Sequence, residues 1–160
     1  MKAKVFFVMS FIVLFFSCRS KFHLNSDELK MLNTEIDAMY EKDQSARLHF
    51  DKIDSLFGMD KIKNVEMNFH SNQRNFLGEE KFQVYKSKND SLWNVIHAID
   101  DYNTKRLIEI TEKYGFPSNQ RLKVYKSKAY LLFVHSSAQY FDKINSLIEK
   151  EYVGGRINEY

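Results

Sequence analysis

Along the chain, apolar positions recur at helical rather than strand spacing. Leu29, Leu32, Ile36, Met39 and Tyr40 repeat at steps of three and four, and Phe50, Ile53, Leu56 and Phe57 extend the stripe. Ser26 stands before this run with Asp27 and Glu28 after it, a cap with acidic residues at the positive end of the helix dipole. Gly58 is placed to end it. The pattern predicts a first long helix over Asp27 to Phe57, with a kink near Asp43-Gln44-Ser45. Met59 to Gly78 carries no clear period, and Asn64, Asn68, Asn72 and Asn75 predict a polar surface connection. From Glu79 the period returns through Phe82, Tyr85, Leu92, Ile96, Ile99, Leu107, Ile110 and Tyr114, and stops at Gly115-Phe116-Pro117. A third helical segment is predicted over Arg121 to Ser136, with Leu122, Tyr125, Ala129, Leu132 and Phe133 inward. A fourth is predicted from Gln139 to Tyr152, with Phe141, Ile144, Leu147 and Ile148 inward. Gly154-Gly155 is placed to end it, and the last residues, up to Tyr160, carry no capping signal.

The N-terminus follows a different pattern. Lys2 and Lys4 precede a nearly unbroken apolar run from Val5 to Phe16, and Ser17-Cys18 leads into polar residues. As a helix this run would rise only about 18 Å, short of a bilayer core. It reads as an export signal over residues 1–17. Cys18, the sole cysteine, falls where the apolar run ends, and Ser17-Cys18 resembles the lipobox of bacterial lipoproteins. That resemblance implies cleavage before Cys18 and lipid on its thiol. Residues 18–25 then form a lipidated tether and residues 26–160 a single helical domain, held to a membrane through Cys18. Arg19 in place of an aspartate points to the periplasmic face of the outer membrane.

Composition agrees with helices. Five glycines and one proline are too few for the turns of a sheet protein, while nine Tyr and the nine of fourteen Phe that lie beyond residue 17 supply a core. The formal charge of +3 includes Lys2 and Lys4. Without them 22 basic residues meet 21 acidic ones, a balance that argues against nucleic acid as a partner. The fold class is therefore all-α, a small antiparallel bundle of about four helices.

Chemistry is sparse. No two of the five histidines are three or four apart, so no helix face offers a paired metal site; no metal and no cofactor is expected. No phosphate loop or nucleophile elbow is present. A few polar residues break apolar faces. Asp43 and Arg47 are four apart with Gln44 between them, Asp100 and Asn103 interrupt the second long stripe, and His135 ends the most apolar run of the domain. An internal echo repeats Val84-Tyr85-Lys86-Ser87-Lys88 as Val124-Tyr125-Lys126-Ser127-Lys128, and reads as coincidence among common helix-surface residues.

These residues also carry a resemblance. Asp43-Gln44-Ser45-Ala46-Arg47, Asp100 to Asn103, Leu107 to Ile110, Gly115-Phe116-Pro117 and the helix-end His135 resemble, in order and spacing, a family of bacterial helical domains of unknown function. The chain departs from that pattern at Phe116, where the family favours Trp, and at Ser137, two places after the histidine, where it favours an Asp. Residues 48–91 are also longer than the family's connection. The resemblance implies a helical fold and marks Asp43, Gln44, Arg47, Asp100, Asn103 and His135, but implies no activity. The expected role is an envelope lipoprotein whose domain binds a protein partner or small ligand without catalysis. The alternatives are a small hydrolase using Asp43, Arg47, Asn103 and His135, and an immunity-type inhibitor of a toxin. A cluster of these residues serving structure alone is the plainest reading of all.

Overall fold

A computed structural model describes residues 23–59 and 69–157. Cys18, the export signal and residues 60–68 of the Asn-rich stretch lie outside them; the later part of that stretch, expected as a polar connection, is helix over Phe69–Leu77. The described chain is helical, with no strand: α1 (Ser26–Phe57), α2 (Phe69–Leu77), α3 (Glu79–Tyr114), α4 (Asn119–Leu122), α5 (Ala129–Val134), a 3₁₀ turn (Ala138–Tyr140) and α6 (Phe141–Val153). The all-α expectation holds, with six α-helices rather than four, two of them long.

The first helix is capped by Asn25, not by Ser26. The Asn25 side chain accepts from the backbone N–H of Asp27 and Glu28 at 3.0 and 2.9 Å, and Glu28 accepts from the Asn25 N–H at 2.9 Å. This reciprocal box satisfies donors that Ser26, one residue later, could not reach. At the other end Gly58 takes the left-handed conformation (φ 71°) and donates to the carbonyls of Asp54 and Ser55. Helix α1 runs through Asp43-Gln44-Ser45 as continuous helix.

α1 and α3 form an antiparallel hairpin. Contacts descend one helix as they climb the other: Glu35 to Arg106, Met39 to Asn103, Arg47 to Asp100, Phe50 to Trp93 and Asp54 to Tyr85. The apolar positions of each stripe meet along this seam. At one end Leu32, Ile36 and Met39 pack with Leu107 and Ile110, joined by Leu122, Ala129, Leu132, Phe133 and Ile144 from the shorter helices. At the other end Met59, Phe82 and Tyr85 are buried, and Phe57 meets Tyr85 edge-on at 5.3 Å. Asp43, Asp100 and Asn103 fall at the same helical spacing as these apolar residues, so they too face the seam and form a polar layer between its two apolar parts.

The third predicted helix divides in two. Lys123 adopts φ 54° and ends α4 after one turn. Ser127 then holds an irregular loop, its N–H donating to Asn119 Oδ1 at 2.6 Å and its hydroxyl to the Pro117 carbonyl at 2.6 Å. These side-chain bonds give the backbone a partner other than the helix ladder. Tyr125, expected inward, lies on this loop and is 99% exposed. Phe141, also expected inward, is half exposed, because the 3₁₀ turn before it resets the face that α6 presents. The two copies of Val-Tyr-Lys-Ser-Lys accordingly differ: the first is helix with Tyr85 buried, the second is loop.

A second polar network closes the C-terminal end. Arg121 donates to the carbonyls of Tyr114 and Phe116 and to Glu151 Oε2, and Arg156 donates to Glu151 Oε1 at 3.0 Å. Burial pushes the Arg121 guanidinium below its usual value; Glu151 opposes that shift and Arg156 adds to it.

Candidate functional site

The polar layer of the hairpin becomes a site because α5 packs against both long helices and ends beside them. α5 is amphipathic, with Ala129, Leu132 and Phe133 buried, and His135 is its C-cap. The imidazole thereby reaches Asp43, 92 residues earlier: His135 Nδ1 lies 3.1 Å from Asp43 Oδ1. The same oxygen accepts from Arg47 Nε at 3.0 Å, and Asp43 Oδ2 accepts from Gln44 Nε2 at 2.6 Å. Arg47 Nη2 donates to Asp100 Oδ1 at 2.7 Å. Five of the six residues singled out in the sequence therefore join one network.

Asn103, the sixth, takes no part in a hydrogen bond with the other five among the described residues. It lies one turn below, where its Nδ2 donates to the Met39 carbonyl at 3.3 Å and ties α1 to α3. Its Oδ1 and the neighbouring Thr104 hydroxyl are buried without a hydrogen-bond partner among the described residues. Asn103 thus stands apart from the other three residues named for the hydrolase alternative, and Asp100 is the α3 residue that contacts Arg47.

The network is graded in exposure. The Asp43 side chain is 1% exposed and that of Asp100 10%, whereas Arg47 and His135 keep about a quarter of theirs in contact with solvent. The two carboxyls titrate in opposite directions. Burial alone would raise the Asp43 carboxyl, but the hydrogen bonds from Arg47 and Gln44, with the charges of Arg47 and His135, hold it below its usual range. Burial raises the Asp100 carboxyl, and the neighbouring Asp43 outweighs enough of the help from Arg47 to keep it there. Between them the two acids push the Arg47 guanidinium up despite its own burial.

A cleft of about 550 Å³ opens beside this network. Asp100 and His135 line it, with His97 and Asp101 on α3 and Ser137 and Gln139 opposite. Asp101 is held at its rim by Tyr140, Gln139 and Lys105. With Nδ1 turned to Asp43, the imidazole has no other hydrogen bond among the described residues, so Nε2 is free for a ligand. A buried, ionised carboxylate that orients a histidine beside a cleft is competent to hold a proton donor or to accept a proton from it. Ser137, two residues after His135, offers no carboxylate, and Asp43 supplies one from across the fold.

His97 is the member of the cleft that sequence reasoning passed over. It stands three and four residues before Asp100 and Asp101, the helical spacing that shares a face. Comparison with known proteins finds no family model, no curated protein and no solved structure that matches this chain.

Proposed function

We propose that this protein is a lipid-anchored envelope protein whose helical domain binds a small polar ligand in the cleft beside His135, as a binding rather than a catalytic domain. The observation that carries the reading is that the Asp43–Arg47–Asp100–His135 network borders an open cleft instead of being sealed in the core. A network serving only to pair helices has no need of a histidine at the water boundary. The rim is polar, with Asp101, Ser137 and Gln139, which suits a ligand rich in hydroxyl or amine groups. The order of Asp-Gln-x-x-Arg, Asp-x-x-Asn and helix-end His supports membership of the resembled bacterial family and adds nothing on activity.

The test is a two-dimensional NMR titration of the full chain in detergent with a library of small polar compounds. Shift changes should cluster at residues 97–101 and 135–139. They should vanish in His135→Ala while its circular dichroism stays helical. Compounds that bind only elsewhere, or none at all, overturn the reading. The His135–Asp43 pair specifically favours a second reading, a small hydrolase with His135 as general base. Turnover of a chromogenic ester or phosphoester by the full chain, lost in both His135→Ala and Asp43→Asn, would decide for it.

A further inference from the structure

We propose that Asp43, Asp100 and His135 form a site for a divalent transition-metal cation, and that Arg47 is the internal cation which the metal displaces. The inference rests on the cleft reading above, since the ion enters from the cleft. One ligand atom from each of the three residues lies within 4.8 Å of the others. Ligands bound about 2.0–2.2 Å from a common ion sit roughly 3–4 Å apart, so a modest contraction completes the set. Two carboxylates and an imidazole suit zinc, manganese or iron, and three protein ligands leave open positions for water or a second ligand.

Charge balance supplies the driving force. Arg47 is the one fixed cation facing two carboxylates in a largely buried layer, and an imidazole has to give up any proton at the nitrogen that binds a metal, so it cannot balance the second carboxylate in the metal-bound state. A divalent cation in place of Arg47 supplies two. Arg47 is the movable member, for its side chain keeps a quarter of its surface in solvent while Asp43 keeps 1%. The remaining parts of a metal centre are also present. Gln44 Nε2 bonds the outer oxygen of Asp43 at 2.6 Å and fixes the carboxylate plane, which is how second-layer donors orient a ligand. The three ligands come from α1, α3 and the end of α5, so the ion would clamp the elements that the polar layer joins. No helix-face spacing of histidines announces such a site, because only folding brings these residues together.

The experiment uses the full chain in detergent, stripped with chelator and then dialysed. Thermal unfolding is followed with Zn²⁺ and Mn²⁺, and with Mg²⁺ as the oxygen-preferring control. Zn²⁺ or Mn²⁺ should raise Tm in a concentration-dependent way, because an ion that binds only the folded state stabilises it. Asp100→Asn, which keeps the shape, should abolish the shift; a shift that survives it places the ion elsewhere and overturns the proposal. Arg47→Gln should lower Tm in chelator, recover it with metal and bind the ion at least about tenfold more tightly than the native chain, since the competing cation is gone. A purely structural Arg47 predicts the same loss without recovery. No Tm shift in either the native chain or Arg47→Gln also overturns the site. The NMR titration repeated in chelator separates the two readings: polar compounds that still bind there leave the cleft intact though the metal site has failed.

Discussion

Gly115 is a residue that two separate constraints hold in place. Its φ of 77° is one that side chains rarely adopt, and a Cβ built there would lie 2.6 Å from the Arg121 guanidinium. That guanidinium is not a loose end that can swing aside, because it is bonded to two carbonyls and to Glu151. Gly58 shares the positive φ but has nothing within 4 Å of its Cβ position. Gly58→Ala should therefore lose only the backbone term, about 1 kcal/mol, and Gly115→Ala at least about 2 kcal/mol. Chemical denaturation of the two variants checks this, and equal losses would show that neither the guanidinium nor the extended ψ of 163° at Gly115 adds to the cost. The sequence announces both glycines as helix stops, but it does not announce Arg121 as the neighbour of one. The Arg121–Glu151–Arg156 network joins residues 30 apart that carry no local pattern, whereas Asp43 and Arg47 sit one helical turn apart and are readable as a pair.

At the scale of elements, long stripes were legible and short pieces were not. The helical period over Leu32-Ile36-Met39 and Leu107-Ile110 holds for many turns, and packing against a matching stripe reinforces it. Val-Tyr-Lys-Ser-Lys shows the opposite case. In α3 its neighbours continue an apolar stripe and it is helix. After α4 the bonds of Ser127 to Asn119 and Pro117 compete with the helix ladder, and it is loop. Five residues are too few to decide between these outcomes without the bonds that folding provides. The cap lies one residue before Ser26 for a related reason, as Asn25 and Ser26 are both good caps and only the bonds between Asn25, Asp27 and Glu28 distinguish them. Asn25→Ala should cost about 1 kcal/mol, and Ser26→Ala only a few tenths. Urea unfolding of both measures the difference, and a larger loss for Ser26→Ala would move the cap back.

For the whole molecule, the site is a consequence of topology more than of motif. Asp43 and Asp100 face one another because the α1–α3 hairpin is antiparallel and in register there; His135 arrives because a broken third segment leaves α5 short enough to end at that layer. A continuous helix from Arg121 to Ser136 would have carried the histidine elsewhere. Gathering of the candidate residues was thus partly legible, as each breaks an apolar face, but Asp100 rather than Asn103 as the contact of Arg47 depends on the register of the hairpin. The relation of this domain to a membrane rests on the N-terminal sequence. No helix among the described residues is long and apolar enough to cross a bilayer; the proposed anchor is the segment that holds Cys18. With acyl chains on Cys18 the full protein should partition into the membrane fraction, and intact-mass measurement should find an acylated Cys18 as its first residue. Cys18→Ala removes the acceptor without altering the apolar run before it. If lipid is the anchor, the variant should lose acylation and the processing that depends on it, while the helical domain keeps its circular dichroism. A native protein with an uncleaved N-terminus and no lipid would instead make residues 5–16 the attachment and Cys18 incidental.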